Sequence, residues 1–394
     1  MRVVHVITRM IVGGAQENTL HNIVDLHRDF GDEVTLITGP SEGPEGNLLE
    51  NKRFREQLDG IDVRQVPTLI RPIRPWTDWR ACRTLEHLLD EIRPDVVHTH
   101  SAKGGILGRA AADCHGKAGI VHTMHGHSFG DYQSALKNWL YIEAERWAGK
   151  RTDRFICVAD AMTDEALKVG IAPREKFVTI HSGMDVDPFL NPSRDRDEVR
   201  ASLGIPADAD VVAKVARLFE LKGHDDLLDA TRPLVERYPN LHLLLIGDGI
   251  LRESIAARAE AMGLGKRIHF SGLVAPEEIP NLLGAVDVVL HASYREGLAR
   301  VLPQGLLAGK PVVSYDVGGA REVVLADQTG ILVPVRDVAG LTRGLEELLD
   351  DPAKRERFGR TGRELFADQF RHQTMTRKIR AVYEEVIAER QAKR

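Results

Sequence analysis

At 394 residues the chain is long for one core and suits two domains of roughly 150–200 residues each. Hydrophobic residues at 43% and charged residues at 28% exclude a disordered chain, and a net charge of −5 gives no ground for a nucleic-acid partner, so any basic site must be local. Cys82, Cys114 and Cys157 stand apart, with no CxxC pair and no histidine cluster at ligand spacing; this excludes a zinc framework and a disulfide scaffold and fits a reducing cytoplasm.

The first residues run directly into a strand without a basic-then-apolar signal region, and no apolar run approaches ~18 residues, so the protein is expected to be neither secreted nor membrane-spanning. Short β-branched runs follow at 3–7, 34–37, 96–100, 120–123, 155–158 and 178–180, with helix-length segments between them. Runs apolar on both faces and spaced in this way predict parallel strands covered by helices, an α/β doubly wound sheet. Gly13, Gly14 and Gln16 follow the first run and open a helix predicted over 16–26, where backbone can approach a ligand. The spacing is not GxGxxG, so no dinucleotide cofactor is indicated. Residues 71–83 carry four arginines with Trp76 and Trp79 at a helix start. They suit anionic lipid headgroups or an acidic acceptor, or else form a solvated helix start whose tryptophans are core. His98, His100 and Lys103 end the third run, and His125 and His127 the fourth; both lie at carboxyl ends of strands, where doubly wound sheets bind ligands. Histidines at strand ends rather than on an HExxH helix predict no metal site.

Turn formers cluster at 183–193. A second set of runs then appears at 211–216, 243–246, 268–270, 288–290, 312–315 and 331–333, so two Rossmann-like domains are expected, 1–187 and 188–372. Residues 373–394 have helical spacing, with Met375, Ile379, Val382 and Val386 in a stripe that needs an apolar groove. Arg217 and Lys222, five apart around a loop, can clamp two phosphates without a metal. Gly247 ends the next strand, and Gly272 and Leu273 the one after. Beyond the run at 288–290, Glu296 and Gly297 form a turn and 301–307 begins a helix, so the amides of Gly297, Leu298, Ala299, Arg300 and Val301 are expected to face an anionic ligand.

The block 294–310, together with 309–324 and pieces over nearly the whole chain, resembles the retaining, nucleotide-sugar-dependent glycosyltransferases of family 4. Their signature has two glutamates separated by seven residues; here the first is Glu296 and the second position holds Gln304. The resemblance implies the GT-B fold, two Rossmann-like domains facing across a cleft, with the final helix (373–394) packing back on the first. It implies transfer of a sugar, with retention, from a nucleoside-diphosphate sugar, UDP-linked by expectation, and no cofactor or metal. Arg217 and Lys222 are then the diphosphate clamp and Gly247 a further donor contact. Gly272 and Leu273 flank the base, Gln304 takes the ribose, Glu296 holds sugar hydroxyls and His125 lies beside the sugar. Gly13, Gly14, Gln16, His100 and Lys103 belong to a loop region for acceptor or phosphate. The acceptor expected is a sugar or a lipid-linked sugar, presented on the inner face of the cytoplasmic membrane for cell-surface polysaccharide or glycolipid synthesis. Two alternatives share this pattern: a nucleotide-sugar epimerase and a non-catalytic nucleotide-sugar-binding protein.

Overall fold

Aliphatic runs buried on both faces become the parallel strands of two sheets, and the computed structural model describes residues 1–41, 46–50, 52–130 and 132–393. The chain divides into two units, Met1–Met184 with Phe370–Arg394, and Asp185–Gln369.

The first unit contains β1 (Arg2–Ile7), β2 (Glu33–Thr38), β3 (Asp62–Gln65), β4 (Val96–His100), β5 (Gly119–Met124), β6 (Arg154–Cys157) and β7 (Phe177–Thr179). All seven are parallel, in the order β3-β2-β1-β4-β5-β6-β7, so the topology reverses between β1 and β4. β3 has no counterpart among the expected strands, because its sequence Asp-Val-Arg-Gln is that of an exposed edge with no apolar run. One face of the sheet is covered by the helices Gly14–Phe30 and His372–Ala392, with Leu20 and Ile23 packed against Met375, Ile379, Val382 and Val386. Each of those four side chains is worth about 1.5–3 kcal/mol when fully buried, which is what draws the last helix onto this groove. Polar contacts fix its register: His372 Nδ1 lies 2.8 Å from Asp25 Oδ2, and Arg380 Nε donates to Asp32 Oδ2 at 3.1 Å. Only a glycine fits at 119, since a Cβ there would fall 2.5 Å from Val386 Cγ1.

The helices Pro75–Ile92 and Ala102–His115 cover the other face through Leu85, Leu89, Ala111 and Ala112. Trp76 and Trp79 are not core residues; they stand 80% and 59% exposed on the outer side of their helix. The reading of them as buried is therefore wrong, since the inner stripe is already filled by Ala81, Leu85 and Leu89.

The second unit contains β8 (Asp210–Val215), β9 (Leu241–Ile246), β10 (Ile268–Gly272), β11 (Val288–His291), β12 (Val312–Tyr315) and β13 (Gly330–Val333). They are parallel in the order β10-β9-β8-β11-β12-β13, with the reversal between β8 and β11.

Candidate active site

In the second unit the chain leaves β8 and β11 in opposite directions, which opens a crevice at their carboxyl ends. Arg217 follows β8 and is exposed, its guanidinium carbon 5.2 Å from the centre of the Phe219 ring. The loop then turns through Leu221 (φ 67°) and Gly223 (φ 63°), where a Cβ would fall 2.0 Å from the Ala292 carbonyl oxygen. The Tyr294 N–H donates to the Leu221 carbonyl at 2.9 Å, so this loop is stitched to the one after β11. Lys222 Nζ thereby reaches Glu296 and donates to its Oε1 at 2.6 Å. His291 Nε2 stands 3.7 Å from the same oxygen, a charge–dipole approach rather than a hydrogen bond. Burial pushes the Glu296 carboxyl up, but His291 and Lys222 outweigh it and hold it at about 2.

The turn at Glu296 is clamped from the loop after β12. Gly319 N–H donates to the Gly297 carbonyl at 2.6 Å, and at Gly318 (φ 54°) a Cβ would fall 2.3 Å from the carbonyl oxygens of both Glu296 and Gly297. Leu298, Ala299 and Arg300 lead into the helix Val301–Leu307; Ala299 and Val301 are buried, so those two can meet a ligand only through backbone, and Gln304 is half-buried. Gly247 follows β9 and bridges to Gly272 at the end of β10, beyond which Leu273 is exposed. Arg217, Lys222, Gly247, Gly272, Leu273, Glu296 and the segment from Gly297 to Gln304 thus all come to one edge of one sheet.

The first unit gathers histidines at its own reversal. His5 Nδ1 lies 3.0 Å from His100 Nε2, and His100 Nδ1 3.2 Å from His125 Nε2. His98 has both nitrogens engaged, Nδ1 with the Tyr383 hydroxyl at 2.5 Å and Nε2 with the Thr123 hydroxyl at 2.7 Å. Burial pushes His5 down to about 3, and burial with neighbouring histidines pushes His98 and His100 well below the usual range, so these three rings are neutral. Ring nitrogens of His5, His98 and His100 lie within 4.8 Å of one another, a spacing that could hold a metal ion, but those of His98 and His100 are all taken up by hydrogen bonds. His125 is half-buried at the strand edge, whereas His100 is buried beneath it. Gly13 precedes the helix Gly14–Phe30, and Gln16 Oε1 folds back to within 2.9 Å of where a Cβ on Gly13 would lie. Lys103 turns away from this edge and bonds the Pro72 carbonyl and Asp78, fastening the start of the helix Pro75–Ile92.

Residues 195–365 match the family described as Glycosyl transferases group 1, and residues 13–183 match the Glycosyl transferase 4-like domain. The lipopolysaccharide core biosynthesis glycosyltransferase LpsE of Rhizobium meliloti (strain 1021) is 33% identical over 368 residues, 92% of this chain and 94% of its own. The chain belongs to this glycosyltransferase family. The UDP-Gal:alpha-D-GlcNAc-diphosphoundecaprenol alpha-1,3-galactosyltransferase of Escherichia coli is 28% identical over 354 residues, 89% of this chain and 88% of its own. Among solved structures, Anabaena Alr3699/HepE in complex with UDP superposes with a TM-score of 0.82 at 21% identity, over 98% of this chain and 100% of that one. The fold is accordingly GT-B.

Two groups at the glycosyltransferase's second sheet escape a reading of its sequence. Lys214 lies within β8 as one polar residue in an aliphatic run; it is 2% exposed, its ammonium nitrogen has no hydrogen-bond partner, and burial, then Lys222, pushes it down to about 7. Asp226 accepts from the hydroxyls of Tyr294 at 2.9 Å and Tyr315 at 2.5 Å, tying the helix His224–Thr231 to the Glu296 loop. Only the fold brings either group to the site.

Proposed function

We propose that this glycosyltransferase moves a sugar from a nucleoside-diphosphate sugar, a UDP-sugar in the first instance, to an acceptor hydroxyl with retention of anomeric configuration and without a divalent ion. The observation that carries this reading is the Lys222–Glu296 pair at 2.6 Å, beside Arg217 at the β8/β11 reversal. A departing diphosphate gains charge in the transition state, and preorganised cations stabilise it most at that moment. Arg217 and Lys222 are assigned to that task, which a metal would otherwise perform. Glu296, held ionised, accepts hydrogen bonds from hydroxyls of the donor sugar and orients its anomeric carbon. His125 is assigned to an oxygen of the transferred sugar. UDP as the nucleotide is supported by the name of the Escherichia coli relative and by the ligand of HepE.

The acceptor is proposed to be a sugar or lipid-linked sugar at a membrane face, in cell-surface glycan synthesis. No helix among the described residues is long and apolar enough to cross a membrane. Support for a peripheral encounter comes from exposed Ile73, Trp76 and Trp79 beside Arg71 and Arg74, and from exposed Leu136, Trp139, Leu140 and Trp147 along the helix Ala135–Gly149. Tryptophan and arginine side by side suit the headgroup layer, which is apolar below and anionic above.

The deciding experiment is a thermal-shift panel of nucleotide sugars followed by product analysis. A true donor at 100 times its dissociation constant adds about 2.7 kcal/mol of stability, and a glycosylated acceptor with released nucleotide is the expected product. An isomerised sugar nucleotide formed without acceptor would make the protein an epimerase, and binding without any product would leave it non-catalytic. Turnover is expected to persist in excess EDTA; loss restored by Mg²⁺ or Mn²⁺ would overturn the metal-free assignment.

A further inference from the structure

The line of imidazoles His5, His100 and His125 has a direction that its protons determine. The contacts are His5 Nδ1 to His100 Nε2 at 3.0 Å and His100 Nδ1 to His125 Nε2 at 3.2 Å. Each neutral ring carries one N–H and one bare nitrogen. With His125 taken as neutral beside His5 and His100, the three rings have three protons: two fill the two contacts, and the third sits at one end of the line. In one arrangement that third proton is on His5 Nε2, which is buried and has no hydrogen-bond partner. In the other it is on Nδ1 of His125, whose ring is half-buried at the strand edge. A buried N–H with no acceptor is among the rarest features of folded proteins, and an unfilled acceptor is better tolerated. His98, tilted against both rings at 5.0 Å from His5 and 4.1 Å from His100 between ring centres, cannot serve as that acceptor, because Tyr383 and Thr123 occupy its nitrogens.

We propose that His5 and His100 are positioning residues that fix His125 in the Nδ1–H tautomer, so that it offers a donor, not a lone pair, to an oxygen of the transferred sugar. The second half of this rests on the role given to His125 above. One chemical consequence is immediate: a ring whose Nε2 is filled by His100 and whose Nδ1 carries the proton has no site left to accept one. His125 is thereby excluded as the base that takes the acceptor's proton and is left to bind and polarise an oxygen.

Long-range ¹H–¹⁵N spectra of the histidine rings in the full-length, ligand-free protein test the relay directly, with His125 assigned by its loss in His125→Gln. Protonation at Nδ1 of all three rings is expected, and protonation of His125 at Nε2 would overturn the proposal. Adding Zn²⁺ is expected to leave these signals in place; their displacement would mean that the cluster is a metal cage instead. His5→Phe removes the first donor and should let the His125 tautomers mix, whereas His5→Asn keeps an N–H near the Nδ1 position and should restore the single tautomer. With the donor selected by the panel, His5→Phe should lower kcat about tenfold, the worth of one neutral hydrogen bond, leave KM within about twofold and be rescued by His5→Asn. Equal losses in both variants would show a merely structural histidine. The tautomer is read without substrate, so unchanged kcat in His125→Ala would sink the role given to His125, while an Nε2–H signal would sink the relay.

Discussion

Lys222 and Glu296 hold each other in place before any ligand arrives, and each can be tested separately. If Lys222 clamps the diphosphate as proposed, Lys222→Ala removes a charge-assisted bond that strengthens as the leaving group departs, and kcat/KM should fall by at least ~2 kcal/mol, about thirtyfold. Near-normal turnover in Lys222→Ala and in Arg217→Ala would rule the clamp out. Glu296 sits at about 2 in the folded protein against an ordinary 4.5, so on acidification protons bind first to the unfolded chain. Its contribution is therefore complete above pH 4.5 and is lost as pH falls toward 2. Urea unfolding of parent and Glu296→Gln should differ by on the order of 2 kcal/mol at pH 7, and the gap should close between those two pH values. A gap that does not change with pH would mean that the carboxylate is not held by its neighbours. Gln304 lies half-buried on the helix Val301–Leu307, whose next residue, Gly305, leaves no room for a Cβ because Val289 Cγ2 would be 2.9 Å away. The helix is pinned, so Gln304→Glu changes one contact and not the backbone. A carboxylate accepts from two ribose hydroxyls where an amide accepts from one, and the donor's KM should drop a few-fold to tenfold with kcat within about twofold. A raised KM would show a pocket adapted to the amide.

Among the elements, the helix Pro75–Ile92 presents its first turn to solvent on a fixed base, because Lys103 holds both Asp78 and the Pro72 carbonyl. Charge reversal at Arg71 and Arg74 should weaken sedimentation with anionic liposomes at low salt, and the difference should fade as salt rises. Replacing Trp76 and Trp79 by alanine should weaken it at every salt concentration, since the ring's transfer into the interface is not screened. Mutants that sediment like the parent would leave the patch as ordinary surface. Which parts of this could be read in the sequence follows a physical division. Strands such as β4 and β12 each open on a valine pair and are buried at every position, and they lie at the residues expected. β3 has no such run, and its only support is pairing with β2. Periodicity marks Met375, Ile379, Val382 and Val386 as one stripe on a helix but is silent on what covers it; the structure packs it against Leu20 and Ile23. That Arg217, Lys222 and Glu296 converge at one sheet edge was legible because they sit in loops at the carboxyl ends of strands. His5 and Lys214 were not, because each is a lone polar residue inside a strand, and what surrounds it is set by strand order.

For the whole molecule, both ends of the chain belong to one unit. Removing everything after Gln369 would strip Met375, Ile379, Val382 and Val386 from the first sheet and leave Asp25 and Asp32 without His372 and Arg380. The truncated protein is expected to bind an apolar dye and lose the unfolding transition of the first unit while keeping that of the second; two intact transitions would show that the last helix is dispensable. The order of synthesis gives this arrangement a further meaning. Residues 185–369, a whole unit of 185 residues, emerge from the ribosome after most of the first unit has been made and before the helix that completes it. At about 5–20 residues per second the first sheet waits roughly 10–40 s with one face only half covered, by the helix Gly14–Phe30 alone. Newly made chains are then clients for chaperones that shield apolar surface, and a premature stop codon anywhere in the second unit's coding sequence disables the first as well.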